Sequence, residues 1–168
     1  ALTETTQAER ERPALRMVPS TPARAILPQR RIDAIGVGAS TGGIMAINAF
    51  LGALPDQIDV PIFITQHLPA GFVRYFADQL QRVSARRIHV AEDGMAVQQG
   101  AVYLAPGEAH LRLMGLTSGL RIMLDRSPAP SGASPSVDPM LTAIAQCYGA
   151  HSCCVMLSGM GKDGLEGA

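Results

Sequence analysis

Apolar and polar positions alternate between two rhythms along this chain. Ile32-Asp33-Ala34-Ile35-Gly36-Val37 is a short apolar run that predicts a buried strand. Gly38-Ala39-Ser40-Thr41-Gly42-Gly43 follows as a tight turn, and then Ile44, Ile47, Phe50, Leu51 and Leu54 recur at helical spacing up to Pro55. Val60-Pro61-Ile62-Phe63-Ile64-Thr65 predicts a second strand, and Phe72, Phe76, Leu80 and Val83 mark a second helix after the Pro69-Ala70-Gly71 turn. Strand, helix, strand, helix in succession implies a parallel sheet with right-handed crossovers.

The rhythm changes in the middle. Ile88-His89-Val90, Gly100 to Ala105, Leu111 to Met114 and Leu120 to Leu124 are short β-like pieces divided by Gly, Asp and Ser, and predict an antiparallel excursion or hairpins on the sheet. Ser127 to Ser136 is a Pro/Gly/Ser loop. Asp138-Pro139 then suits an N-cap and first helical position, for a helix reaching about Tyr148 and stopping at Gly149. Ser152 to Leu157 is a strongly apolar strand leading into Ser158-Gly159-Met160-Gly161-Lys162-Asp163-Gly164. The fold class expected is α/β, a mostly parallel doubly wound sheet with a short antiparallel β excursion. Residues 1–31, with four prolines (Pro13, Pro19, Pro22, Pro28) and no periodicity, predict a flexible tail or interdomain linker ahead of an ordered domain over 32–168.

Composition narrows the class. The chain has 168 residues, 47% hydrophobic and 17% charged, with a formal net charge of zero. Neither a nucleic acid nor a strongly basic partner is suggested by that balance. The three cysteines, Cys147, Cys153 and Cys154, make no disulfide framework and predict small buried thiols in a reduced protein. No apolar run approaches a membrane span and no signal-type stretch opens the chain, so membrane insertion is not expected and a cytoplasmic location is. No His/Cys/Asp/Glu spacing suits a metal, and no cofactor is expected.

Gly38-Ala39-Ser40-Thr41-Gly42 satisfies G-x-S-x-G between a strand and a helix, the setting that lifts a serine hydroxyl above a sheet edge beside helix N–H groups. A dinucleotide loop is the rival reading. Yet Thr41 stands where its third glycine belongs, and the second strand ends in Thr65-Gln66-His67 without a carboxylate. His67 follows the second strand and Asp163 the late apolar strand. Side chains at the C-terminal ends of parallel strands share one crevice. Ser40, His67 and Asp163 are therefore the candidate nucleophile, base and orienting acid. His89, His110 and His151 are weaker candidates, and Glu92-Asp93 before Gly94 suits a turn. A non-catalytic docking module and a nucleotide-binding α/β module are the alternatives.

These residues lie in a longer series. The series runs through Ile35-Gly36-Val37-Gly38-Ala39-Ser40-Thr41-Gly42-Gly43, Ile64-Thr65-Gln66-His67-Leu68-Pro69-Ala70-Gly71-Phe72 and Ala91-Glu92-Asp93-Gly94. It continues with Val102-Tyr103-Leu104-Ala105-Pro106-Gly107, Pro135-Ser136-Val137-Asp138 and Leu157-Ser158-Gly159-Met160-Gly161-Lys162-Asp163-Gly164. In this order they resemble the catalytic domain of the CheB family of chemotaxis protein-glutamate methylesterases, over nearly everything from Ile32 onward. The resemblance implies a triad of Ser40, His67 and Asp163, with the backbone N–H groups of Met160 and Thr41 serving the oxyanion. It implies hydrolysis of γ-glutamyl methyl esters, and deamidation of certain glutamines, on the cytoplasmic helices of chemoreceptors. It also implies a receiver domain of the same full-length protein as a regulatory partner, joined through the tail. This chain departs from the family pattern in three ways. No receiver is present, the family's domain continues past the Gly-x-Asp-Gly turn, and Ser131-Gly132-Ala133-Ser134 stands where many relatives carry basic residues. The domain over 32–168 is accordingly expected to lack its C-terminal part.

Overall fold

The computed structural model describes residues 31–159 and 161–168. The tail expected over 1–31 thus lies outside the described residues except for Arg31. Five parallel strands form the main sheet: β1 (Ala34–Ala39), β2 (Ile62–Gln66), β3 (Ile88–Val90), β4 (Val102–Leu104) and β7 (Ser152–Ser158), in the order β3-β4-β2-β1-β7. The hairpin β5 (His110–Leu116) and β6 (Gly119–Asp125) is a separate antiparallel pair. Helices α1 (Gly43–Ala53) and α2 (Ala70–Val83) cover one face of the sheet, while α3 (Val137–Tyr148) and the hairpin cover the other. The expected α/β class, mostly parallel with a small antiparallel excursion, is the class observed. Strands Ile88–Val90 and Val102–Leu104 correct one detail. Both pair in parallel within the main sheet, and the antiparallel excursion is the β5/β6 hairpin with an isolated bridge from Ala96 to Arg121 on β6.

Alternation along β1 explains the two layers. Ile35, Val37 and Ala39 point to the α1/α2 side and pack with Ile47, Leu51, Val73, Phe76 and Leu80. Gly36 and Gly38 point to α3. A Cβ on Gly36 would stand 2.7 Å from Ile144 Cδ1 and 2.8 Å from Leu141 Cδ2, and one on Gly38 2.7 Å from Val137 Cγ1. Gly36 lies in the strand as expected, Gly38 belongs to the strand and not to the turn after it, and their missing side chains let α3 lie close on the sheet.

The second helix also differs in detail from its expected face. Val73, Phe76, Ala77 and Leu80 are the buried stripe, whereas Phe72 is 62% and Val83 45% exposed. The true stripe follows the i, i+3, i+4, i+7 rule, and each large side chain so buried contributes about 1.5–3 kcal/mol. At α3 the N-cap is Ser136, not Asp138. The Asp138 carboxylate instead accepts N–H bonds from Glu166 at 3.0 Å and Gly167 at 2.8 Å, tying the last turn of the chain to α3. The cysteines are less buried than expected: Cys147 and Cys153 are half-buried and Cys154 is exposed. Burial still pushes the Cys147 and Cys154 thiols above their ordinary pKa. Among the described residues no helix is long and apolar enough to cross a membrane.

Candidate active site

Strand order places the site. The chain leaves β1 for β2 on one side, and β7 later joins β1 on the other side. The crevice above the carboxyl ends of strands at such a reversal is where open α/β sheets bind ligands. Ser40 follows β1, His67 follows β2, and Asp163 lies in the turn after β7.

The nucleophile candidate is held by its backbone. Ser40 N–H donates to Ser158 C=O at 2.7 Å, where the β1–β7 pairing slips by one residue. Ser40 C=O accepts from Gly43 N–H at 2.8 Å and from Gln66 Nε2 at 2.8 Å. Gly42, the N-cap of α1, has φ +78°, the left-handed region that glycine enters without strain. Thr41 C=O accepts the Ser158 hydroxyl. Gly159 passes so near that a Cβ there would stand 3.0 Å from Ser40 Cβ. Gln66 is buried, and its Oε1 has no hydrogen-bond partner among the described residues. Gly43 offers it no side chain, and the oxygen faces the positive end of α1.

His67 bridges the other two groups. Its Nδ1 lies 3.0 Å from Ser40 Oγ and its Nε2 2.7 Å from Asp163 Oδ2. The Asp163 side chain is 8% exposed and that of His67 26%. An ionised carboxylate only accepts, so Nε2 carries the imidazole proton and Nδ1 presents a lone pair to the serine hydroxyl. Asp163 Oδ2 also accepts Val137 N–H, the first of α3, at 2.7 Å, and Oδ1 accepts Ser136 Oγ at 2.5 Å. Burial alone would raise the pKa of this carboxyl. The bonds from Ser136, Val137, His67 and Ser131 outweigh it and hold the group down at about 2.

The constellation opens onto a cleft of about 250 Å³ lined by Ser40, His67, Asp163, Val137, Met156 and Gly159. A second hollow on the far side of Ser40 reaches Met45 and Leu68. The serine is thus approachable from solvent, and its hydroxyl meets a base whose far nitrogen is fixed by an acid.

The structure brings Ser40, His67 and Asp163 together. Thr41 sits beside them at the start of α1, while Met160 lies outside the described residues. The other histidines are occupied elsewhere. His89 stacks on Tyr103 at 5.6 Å, and His151 Nδ1 lies 3.0 Å from Arg31 C=O. Asp93 accepts Leu124 N–H at 2.9 Å beside Gly94 at φ +76°, in keeping with a turn. Sequence reasoning missed Ser136 and Gln66 and named His110 only as a weaker candidate; these residues hold the three candidates from behind. Their signal was weak: Ser136 and Gln66 lie within the family-like segments, but nothing local says where their side chains point.

A hydroxyl, an imidazole and a carboxylate in hydrogen-bonded series above a parallel α/β sheet have the composition and contact order of a serine hydrolase. Comparison with known proteins agrees. The family model described as CheB methylesterase matches residues 35–168. The chain belongs to the CheB methylesterase family. A protein-glutamate methylesterase/protein-glutamine glutaminase 2 of Shewanella sp. (strain MR-4) is 38% identical over 161 residues, covering 95% of this chain and 45% of that protein. A relative of the same enzyme name in Pyrococcus horikoshii is 34% identical over 154 residues, covering 92% of this chain and 40% of that protein. The crystal structure of the Thermotoga maritima CheB methylesterase catalytic domain superposes with a TM-score of 0.77 at 36% identity, covering 81% of this chain and 72% of that one. The chain spans less than half the length of these two curated relatives.

Proposed function

We propose that this chain is the catalytic part of a protein-glutamate methylesterase in which Ser40 is the nucleophile, His67 the general base and acid, and Asp163 the residue that orients and charge-balances His67. The observation that carries this reading is the single imidazole spanning Ser40 Oγ at 3.0 Å and Asp163 Oδ2 at 2.7 Å. The enzyme names of the relatives support the substrate class.

The chemistry follows from the proton positions. Ser40 Oγ attacks the γ-carbonyl carbon of a glutamyl methyl ester while its proton passes to His67 Nδ1. The tetrahedral oxyanion takes backbone N–H bonds at the start of α1 and in the turn after β7, with Thr41 and Met160 as the proposed donors. The C–OCH₃ bond then breaks, and His67 returns the proton to the departing methoxide as methanol. Water, deprotonated by His67, attacks the acyl-enzyme and releases the glutamate side chain and Ser40. With a glutamine substrate the same steps release ammonia. Asp163 stays ionised throughout and stabilises the imidazolium.

In this reading the substrate lies on chemoreceptor helices in the cytoplasm, and a receiver domain of the full-length protein is the regulatory partner. Release of methanol from a methyl-esterified receptor fragment tests the proposal. Ser40→Ala is expected to lower the rate by about 10⁴- to 10⁶-fold. Equal rates for the two proteins would leave only a docking module. Covalent labelling at Ser40 by a serine-directed phosphonate is the matching positive result.

A further inference from the structure

Ser136 stands at the N-cap of α3, yet its hydroxyl makes no cap bond to the helix. The residue is wholly buried. Its Oγ donates to Asp163 Oδ1 at 2.5 Å and lies 3.2 Å from Ser131 Oγ. Its N–H donates to His110 Nδ1 at 2.8 Å, and His110 Nε2 lies 2.8 Å from Ser127 C=O. Elementary donor counting orients the whole chain. The carboxylate accepts only, so Ser136 donates its one proton to Asp163 and its lone pair receives Ser131 O–H. The Ser127 carbonyl accepts only, so His110 carries its proton on Nε2 and offers Nδ1 to Ser136 N–H. Helix α3 supplies the remaining constraint through Val137 N–H on Asp163 Oδ2. Both carboxylate oxygens are therefore pinned, and rotation about Cβ–Cγ would break a bond on each side.

Resting on the triad reading above, we propose that Ser136 is a positioning residue for the Asp163 carboxylate, itself held in place by buried His110 and by Ser131. Through Asp163 it sets the plane of the His67 ring and so the aim of Nδ1 at Ser40. The Pro/Gly/Ser loop from Ser127 to Ser136 has a function in this arrangement: it delivers two hydroxyls and a carbonyl to the back of the site. The titratable and charged groups around Asp163 are few. His67 faces it from the end of β2, His110 stands behind Ser136 on β5, Asp138 on α3 is turned to Glu166 and Gly167 N–H, and the neighbouring Lys162 is exposed.

The test uses the 168-residue chain with Ser40→Ala, Ser136→Ala and Ser131→Ala. A merely structural serine would move the melting temperature alone. A positioning serine also changes turnover and proton affinity. Ser136→Ala is expected to lower kcat for methanol release about 10- to 100-fold with KM nearly unchanged. The acid limb of the rate profile should move up by roughly half to one pH unit, because the His67–Asp163 pair takes its first proton more readily without the donor. The ¹³C titration of the Asp163 carboxyl should shift in the same direction, a readout that needs no turnover. A folded Ser136→Ala protein with unchanged kcat, acid limb and carboxyl titration overturns the proposal. If Ser136→Ala does not fold, the exposed Ser131 decides: Ser131→Ala should shift the carboxyl titration upward by a smaller amount, and no shift overturns the proposal. Undiminished activity of Ser40→Ala, by contrast, would remove the triad reading itself.

Discussion

Replacing Asp163 by asparagine separates charge from tautomer at this site. The substituted amide has one oxygen and one NH₂ to place where the native carboxylate has two acceptors. On the Oδ2 side stand His67 Nε2–H at 2.7 Å and Val137 N–H at 2.7 Å, and the backbone donor cannot reverse. On the Oδ1 side stands the Ser136 hydroxyl at 2.5 Å, which can turn round, accept from NH₂ and donate to Ser131. The amide oxygen is thus expected on the His67 side, and His67 keeps its proton on Nε2. Only the negative charge is lost. For an imidazolium and a carboxylate whose charge centres lie about 4 Å apart, an effective dielectric of about 20 gives about 4 kcal/mol, or roughly a 10³-fold fall in kcat. The assay is methanol release alongside ¹⁵N shifts of the His67 ring. A proton found on Nδ1, or a fall as deep as that of Ser40→Ala, would refute the reasoning.

Two further outcomes follow from the same geometry. Gly36→Ala should destabilise the fold by about 1–3 kcal/mol, because its Cβ would meet Ile144 at 2.7 Å and Leu141 at 2.8 Å, and a melting curve checks this. For Asp163 the folded-state pKa is about 2 against an ordinary 3.8, so its bonds stabilise the fold fully above the higher value. That contribution should fade as pH falls from 3.8 towards 2, and acid unfolding of Asp163→Asn should lack this component.

Local pattern determined much of this molecule. The apolar runs at Ile35, Ile62 and Ser152 declare strands, and the 3.6-residue spacing after Ser40 and His67 declares helices, because burial of one face must repeat with the backbone period. Strand-then-helix order also implies parallel pairing. It puts Ser40, His67 and Asp163 at carboxyl ends of strands, so the candidate triad could be named from sequence. What the pattern could not separate was β3 and β4 from the true hairpin. Three-residue strands carry too few positions to distinguish parallel from antiparallel partners.

Only the tertiary structure decided what surrounds those ends. Ser136 looks like the end of a Pro/Gly/Ser loop until α3 docks against β1 and turns its hydroxyl onto Asp163. His110 looks like a strand filler until the hairpin carries it behind Ser136. Gly38 suggests the start of a turn until α3 takes the space where its side chain would be. In each case the deciding contact joins residues distant in sequence, and a hydrogen bond acts over about 3 Å in space, whatever the separation along the chain. Periodicity reports which face of an element is buried, whereas the partner on that face is chosen by packing.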